Sequence, residues 1–438
     1  MHTKRRLSRR EFLVGSAAAV GAAALTGKSA AQTPGAPAVA KKVKIQWMQW
    51  MTTEITEPRM RDLLEAFYKT EAGKSIEVER ISLPSPQYHD KAVANHMAGA
   101  MPDVLQVAAE WNVEFAELGM TEPLDPYLAK AGKGWVADLV SHNMVPWRGK
   151  TYLLPVTATA YIQLYNVRKF EEAGLSGPPR TWRDIEQMGP KLTNPAKNTY
   201  CSAACMGAVQ PYKGPPNEIW PLIYQCNDTV LKGGKCNLSS PGSIKALKFW
   251  LHLVNDLKIY APGVLTNAEK DMLEAFTSEV TAILWGSPVF VRIFQQRNPQ
   301  LKLGVAPLAE GDTYGTWGAG WNNALCAASK NKDAAFEFMH WLSGPDGSGR
   351  MAMAAFMPSA NRKVDMSPLV QRDPLFKTAL DVVARGRVFA ETAILPEGTN
   401  LLRIQIEQIQ EAANGRKTPE AAMEFATAEW NKIFAKYA

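Results

Sequence analysis

The stretch TWGAGWNNAL, residues 316–325, sets Trp317 and Trp321 four positions apart among glycine, alanine and asparagine. A core segment would surround indoles with more bulk, so the pattern reads as the wall of a cleft that takes up a solute. The chemistry is recognition without bond making. An indole face covers the C–H patch of a sugar-like molecule and buries about 150–250 Å² overall, while buried polar side chains meet its hydroxyls. The chain holds 13 tryptophans, above the usual share, and several fall at segment ends, where the cleft of an α/β sheet lies. Trp50 closes the first strand-like segment, Trp111 follows the third, and Trp285 ends AILW. Trp182, Trp250 and Trp341 sit on amphipathic helical patterns and read as core.

Residues able to make or break bonds are not arranged to do so. The sequence holds no G-x-S-x-G, no H-E-x-x-H and no phosphate loop. SKNK at 329–332 matches S-x-x-K by count alone, in a polar turn without its companion motifs. The six histidines are scattered, and His89 and His96 share a helix face without further ligands at metal spacing. The reading is a binding protein with no catalytic residue, no metal and no cofactor. The competing reading is an exported carbohydrate-active enzyme, which needs only two placed carboxylates.

These residues must be positioned by a folded frame, and the chain is long enough for one. A length of 438 residues implies two or three domains. Hydrophobic residues at 46% and charged ones at 21% suit a soluble globular protein with a sizeable core. Of the formal charge of +7, residues 1–31 carry a net +5, from Lys4, Arg5, Arg6, Arg9, Arg10 and Lys28 against Glu11. The remainder is close to neutral and has no basic stripe interleaved with aromatics, which argues against nucleic acid as a partner. SRREFLV at 8–14, followed by the weakly apolar GSAAAVGAAALTG, resembles a twin-arginine export signal, with the cut after Ala31. Residues 32–42, with TPGAPAVA, read as a flexible leader. No other stretch is long and apolar enough to cross a bilayer, and the expected location is the periplasm.

Five cysteines remain. In an oxidising compartment some are expected to pair: Cys226 with Cys236 around a turn-like stretch, or Cys201 with Cys205 or with either of those two. The odd count leaves one free, and Cys326 in the apolar ALCAA reads as a buried thiol. C-x3-C and C-x9-C fit zinc spacing poorly.

Hydrophobic periodicity gives the frame. KVKIQWMQWM (42–51), SIEVERISL (75–83) and PDVLQVAA alternate or run apolar as strands, separated by helical patterns at 56–73 and in YHDKAVANHMAGAM. Gly73 is expected to stop the first helix. Strand, helix, strand, helix, strand is the signature of a mostly parallel sheet. Further on, Thr181 and Ser240 read as helix N-caps, YIQLYN, VTAILW and LKLGVAPL as strands, NKDAAFEFMHWLSG as a helix ending at Gly344, and 346–438 as mainly helical.

The order of these segments is familiar. PDVLQVAAEWNVEFAELGMTEPLD, YLLPVTATAYIQLYNVRKFEEAGLSGPPRTWRDI, AILWGSP, LGVAPL, WGAGWNNALCAASKNKDAAFEFMHWL and NGRKTPEAAMEFATAEWNKIF follow one another. Together they resemble the bacterial extracellular solute-binding proteins of family 1, the maltose-binding-protein-like group of ABC transporters, over roughly 43–438. The resemblance implies a two-lobed α/β periplasmic-binding fold of type II, each lobe a mostly parallel sheet flanked by helices. The expected first lobe is 43–155 and 306–345, and the second 156–305 and 346–438. Hinge strands are expected near 153–157 and 303–307, with a third crossing around 345–360. Ligand held from both sides favours a closed form, which a membrane permease recognises. The expected partners are a small solute, most simply a carbohydrate or polyol, and the permease of an ABC importer, with the receptor a monomer. A non-sugar solute such as glycerol phosphate or a polyamine is the alternative ligand. The site residues implied are Trp50, Glu110, Trp111, Thr157, Thr159, Trp285, Trp317, Trp321 and Asn322, with Asn112 and Asn323 as further hydroxyl partners. Asp103 reads as structural, and Arg350 and Arg362 as surface arginines. Related sugar binders place an acidic residue where Thr159 stands, and a tryptophan after the glycine that here follows Trp285.

Overall fold

The computed structural model describes residues 42–140, 144–318 and 320–438. The export signal and most of the leader fall on residues 1–41, outside the described residues. The strands in chain order are β1 (Val43–Gln49), β2 (Ile76–Ser82), β3 (Val104–Val107), β4 (Leu154–Pro155), β5 (Ile162–Asn166), β6 (Tyr200–Ser202) and β7 (Leu231–Lys232). They continue as β8 (Lys235–Cys236), β9 (Thr281–Gly286), β10 (Leu303–Pro307), β11 (Thr316–Trp317), β12 (Asn322–Leu325) and β13 (Val388–Phe389).

Two sheets organise the chain. The first runs β2-β1-β3-β12-β4 and the second β10-β5-β9-β6. β1 pairs in parallel with β2 and β3, because the helices Glu57–Tyr68 and Ser85–Met97 carry the chain back between them. The first helix spends Met60, Leu63, Leu64 and Phe67 on the core, as its 3.6-residue period dictates. Gly73 does not end that helix. It lies within a separate short helix, Glu71–Ser75, whose N-cap Thr70 accepts from the Gly73 amide.

The two-lobed α/β class holds, but the sheets are mixed. β12 runs antiparallel to both β3 and β4. β5 runs antiparallel to both β9 and β10, and only β6–β9 is parallel in the second sheet. The reversals belong to strands that arrive from the other sheet rather than through a local crossover helix. The chain leaves the first sheet after β4 for β5 and returns after β10 to β12. A third passage follows the helix Pro345–Ala355, which packs on Lys332–Ser343 and Glu57–Tyr68, beside the first sheet. The next long element, Phe376–Ala384, packs on β10 and β5 of the second.

These passages touch. Val156 N–H donates to Trp321 O at 2.8 Å and Ala158 N–H to Pro358 O at 2.8 Å, while Ala360 N–H reaches back to Val156 O at 3.3 Å. Three separate segments are thereby laced into one strip between the sheets. Capping is local and regular: Thr181 and Asp184 form a capping box, and Ser240 accepts from the Ser243 amide.

The expected disulfides are not formed, and all five cysteines are free thiols. Each is held in its own packing environment. The Cys205 thiol meets the Lys213 carbonyl at 3.3 Å, and Cys236 lies beside Thr427. Cys326 is buried, and burial pushes the Cys201 thiol up to about 12.

Candidate solute-binding cleft

Between the two sheets lies a cavity of about 740 Å³ of atom-free space, its mouth included. The first-sheet side contributes Trp50, Glu110, Trp111 and Trp321; the second contributes Thr159, Tyr161, Tyr212, Lys213, Glu269, Ser287 and Phe290. Trp317 closes the wall between them.

The aromatic residues hold one another in fixed orientations. Trp50 ends β1, and its amide donates to Gln106 Oε1 at 2.9 Å. Its ring meets Trp111 edge-on at 5.5 Å between centroids. Trp111 also stacks on Tyr88 at 5.8 Å and meets Tyr212 edge-on at 5.7 Å, a contact that joins the two sides of the cavity. Trp317 meets Tyr161 edge-on at 4.8 Å, and its carbonyl accepts from the Tyr161 amide at 2.9 Å.

Gly318, the first of two glycines between the tryptophans, has a steric cause. A Cβ on Gly318 would lie 2.1 Å from Val388 Cγ1 and 2.4 Å from Thr159 O. Only a glycine lets β11 pair with β13 while its backbone presses against the passage through Thr159.

Electrostatically the wall is acidic. Glu110 is 5% exposed, and burial raises its carboxyl above the ordinary glutamate value, against the lowering effect of its own backbone amide and of Lys213. Lys213 Nζ lies 2.8 Å from Glu269 Oε1. Burial alone would lower the lysine, but the Glu269 charge outweighs it and holds the ammonium well above its usual value. Thr159 Oγ1 and Ser287 Oγ face each other at 3.5 Å. Among the described residues, the buried indole N–H groups of Trp111 and Trp317 have no acceptor, a cost that a bound molecule reaching them would offset.

Of the nine residues expected at the site, the structure brings six to this cavity: Trp50, Glu110, Trp111, Thr159, Trp317 and Trp321. Three lie off it. Trp285 shares a face of β9 with Ile283 and packs among Pro179, Ile185, Leu253 and Tyr260 inside the second lobe. Thr157 is turned to the backbone, its Oγ1 accepting from Trp321 N–H at 3.0 Å and its hydroxyl directed at Met357 Sδ. Asn322 is spent on the carbonyls of Val107 and Gly320. Asn323 accepts from Trp47 Nε1 at 3.0 Å and Asn112 donates to Ala393 O at 2.9 Å, both structural bonds. Asp103 ties β1 to the loop after β12, accepting from Gln46 N–H at 2.8 Å and Ser329 Oγ at 2.5 Å. Tyr161, Tyr212, Lys213, Glu269 and Phe290 were not expected. Tyr161 follows Thr159 in TATAY and was within reach of sequence reasoning, whereas PYKGPP around 212–213 has no periodicity to mark it.

The family model for the bacterial extracellular solute-binding protein matches residues 52–348. A Brucella abortus protein named as a binding protein is 25% identical over 386 residues, covering 87% of this chain and 91% of its own. A Sinorhizobium fredii protein named for the periplasmic-binding component of an amino-acid ABC transporter is 23% identical, over 79% of this chain and 80% of that one. Among solved structures, an ABC transporter solute-binding protein of Thermotoga lettingae bound to alpha-D-tagatose superposes with a TM-score of 0.78 at 22% identity, covering 90% of this chain and all of that one.

Proposed function

This chain belongs to the bacterial extracellular solute-binding protein family, and we propose that it is the receptor of an ABC importer for a carbohydrate or polyol. It takes the solute between its lobes, by contact with Trp50, Glu110, Trp111, Thr159, Trp317 and Trp321, and delivers it chemically intact to a membrane permease. The single observation that carries this reading is the cavity between the sheets, walled by four tryptophans with two indole donors left unmatched. Ring faces suit the C–H surface of a sugar, and the donors suit its oxygens. The tagatose held by the Thermotoga lettingae protein is consistent with this chemistry.

Glycerol phosphate fits less well, because Glu110 and Glu269 line the same wall and repel an anion. An exported carbohydrate-active enzyme would need two placed carboxylates, and the match to a solute-binding family favours the receptor over it. The remaining parts of the proposal are a monomer, export through the twin-arginine pathway with cleavage after Ala31, and function in the periplasm. The lobe boundaries are also proposed: 43–155 and 306–345 against 156–305 and 346–438, with Pro345–Ala355 moved to the first lobe because it packs there.

Incubation of the purified protein with panels of neutral sugars, polyols and phosphorylated solutes tests the reading. A raised melting temperature with recovery of unchanged ligand supports it. Turnover of any sugar to product would replace the receptor with an enzyme.

A further inference from the structure

The cleft has a charge that a neutral sugar does not require. Among the described residues, its wall carries Glu54, Glu110 and Glu269 against the ammonium of Lys213. Glu269 and Lys213 pair at 2.8 Å. The other basic group acting on Glu110 is His89, whose ring nitrogens are engaged by Asp90 and Glu114 at 3.1 Å each. Neither Lys213 nor His89 is therefore dedicated to Glu110. Glu110, 5% exposed, lines the cavity together with Trp50, Trp111 and Tyr212.

A buried carboxylate among aromatic rings is the combination that recognises an ammonium. The carboxylate accepts charge-assisted hydrogen bonds, and ring faces attract the cation. The same wall also holds the buried, unmatched indole donors of Trp111 and Trp317, which an acceptor oxygen reaching them would satisfy. Cation and hydroxyl oxygen are thus wanted together, within one cavity.

We propose that the cleft selects a hydroxyl-rich solute bearing a protonated primary amine, an amino sugar or amino polyol, with the amine on Glu110 and the oxygens on the indole donors. This rests on the carbohydrate reading above and adds the charge of the ligand to it. Hydroxyl counterparts fit the rings and the donors but leave Glu110 without a counter-charge. Phosphorylated counterparts meet Glu110 and Glu269 as like charges.

Titration calorimetry of the intact protein tests this with D-glucosamine, D-galactosamine, D-mannosamine and glucamine, each against its hydroxyl counterpart and its N-acetyl derivative. At least one amine is expected to bind about tenfold or more tighter than both relatives, the difference between a charge-assisted and a neutral hydrogen bond. Glu110→Gln, shown to fold by its melting temperature, is expected to erase that preference, the amine losing about tenfold more affinity than its hydroxyl counterpart. Equal or tighter binding of the neutral compounds overturns the proposal and leaves the carbohydrate reading standing. An amine preference that survives Glu110→Gln overturns the assignment to this residue. Failure of every amine, hydroxyl and N-acetyl compound to bind overturns the proposal and the carbohydrate reading together.

Discussion

Trp317 and Trp285 each stand at a strand end one residue before a glycine, and each is 6% exposed. Trp317 lines the cleft, while Trp285 fills the interior of the second lobe. Burial does not distinguish them; the space each one faces does. In the packed interior, several polar groups are matched within the protein. Glu218 accepts from Tyr260 at 3.2 Å, Trp220 Nε1 donates to Gln405 at 3.0 Å, and Trp430 Nε1 to the Leu401 carbonyl at 2.7 Å. Around the cleft, Trp111 and Trp317 keep their donors unmatched. Unmatched buried donors cost stability wherever they lie, and Trp341 Nε1 and Gln405 Nε2 are unmatched away from the cleft; those of Trp111 and Trp317 stand out because their residues also line the cavity.

The contrast predicts opposite outcomes for similar substitutions. Trp285→Ala should destabilise the fold most, by about 3–5 kcal/mol in denaturant unfolding, with ligand affinity per folded molecule unchanged. A loss of affinity there would erase the distinction between the two regions. Trp321→Ala, at the half-buried cleft position, should weaken solute binding about 30-fold or more by calorimetry while moving the unfolding midpoint far less. Gly318→Ala tests one of the two glycines between the cleft indoles. The added methyl should cost about 1–3 kcal/mol in stability, with binding reduced because β11 must move away from Thr159.

The interior also carries a titration signature of its own. Burial raises the Glu218 carboxyl to about 8, against the lowering effect of Tyr260 and Trp250. The folded state therefore holds a proton that the unfolded chain releases near its ordinary value of 4.5. Its stabilising contribution is complete below that value and is lost as pH rises through about 8. Glu218→Gln should flatten the fall in melting temperature between pH 5 and about 8.5, by a few degrees at the alkaline end, without altering affinity. The smallest effect is expected at Thr157→Val. It removes the acceptor for the Trp321 amide, and about 1 kcal/mol or less should appear as a several-fold loss in binding.

Element order was legible because periodicity and capping are local. Thr181, Ser240 and the strand YIQLYN fall where their patterns put them. Sheet direction was not, since the antiparallel placement of β12 and β5 depends on strands arriving from the far sheet. Gly73 shows a similar limit, where Thr70 starts a new helical turn before the glycine can end the old one. In the site, the tryptophans of 316–325 were legible from their surroundings. The failure at Trp285 lies in side-chain direction, which a strand end does not reveal until its pairing is known. Lys213 and Glu269 were missed because their pairing joins residues 56 positions apart and leaves no local pattern.

The strip where Val156, Trp321 and Pro358 exchange backbone hydrogen bonds is also where Thr159, Trp321 and Met357 reach the solute cavity. If the halves close on a solute as proposed, their swing twists this strip, and the axle of the motion is itself part of the grip. Ligand shape and closure angle would then be set by the same few peptide units, and neither could be retuned while the other is left alone.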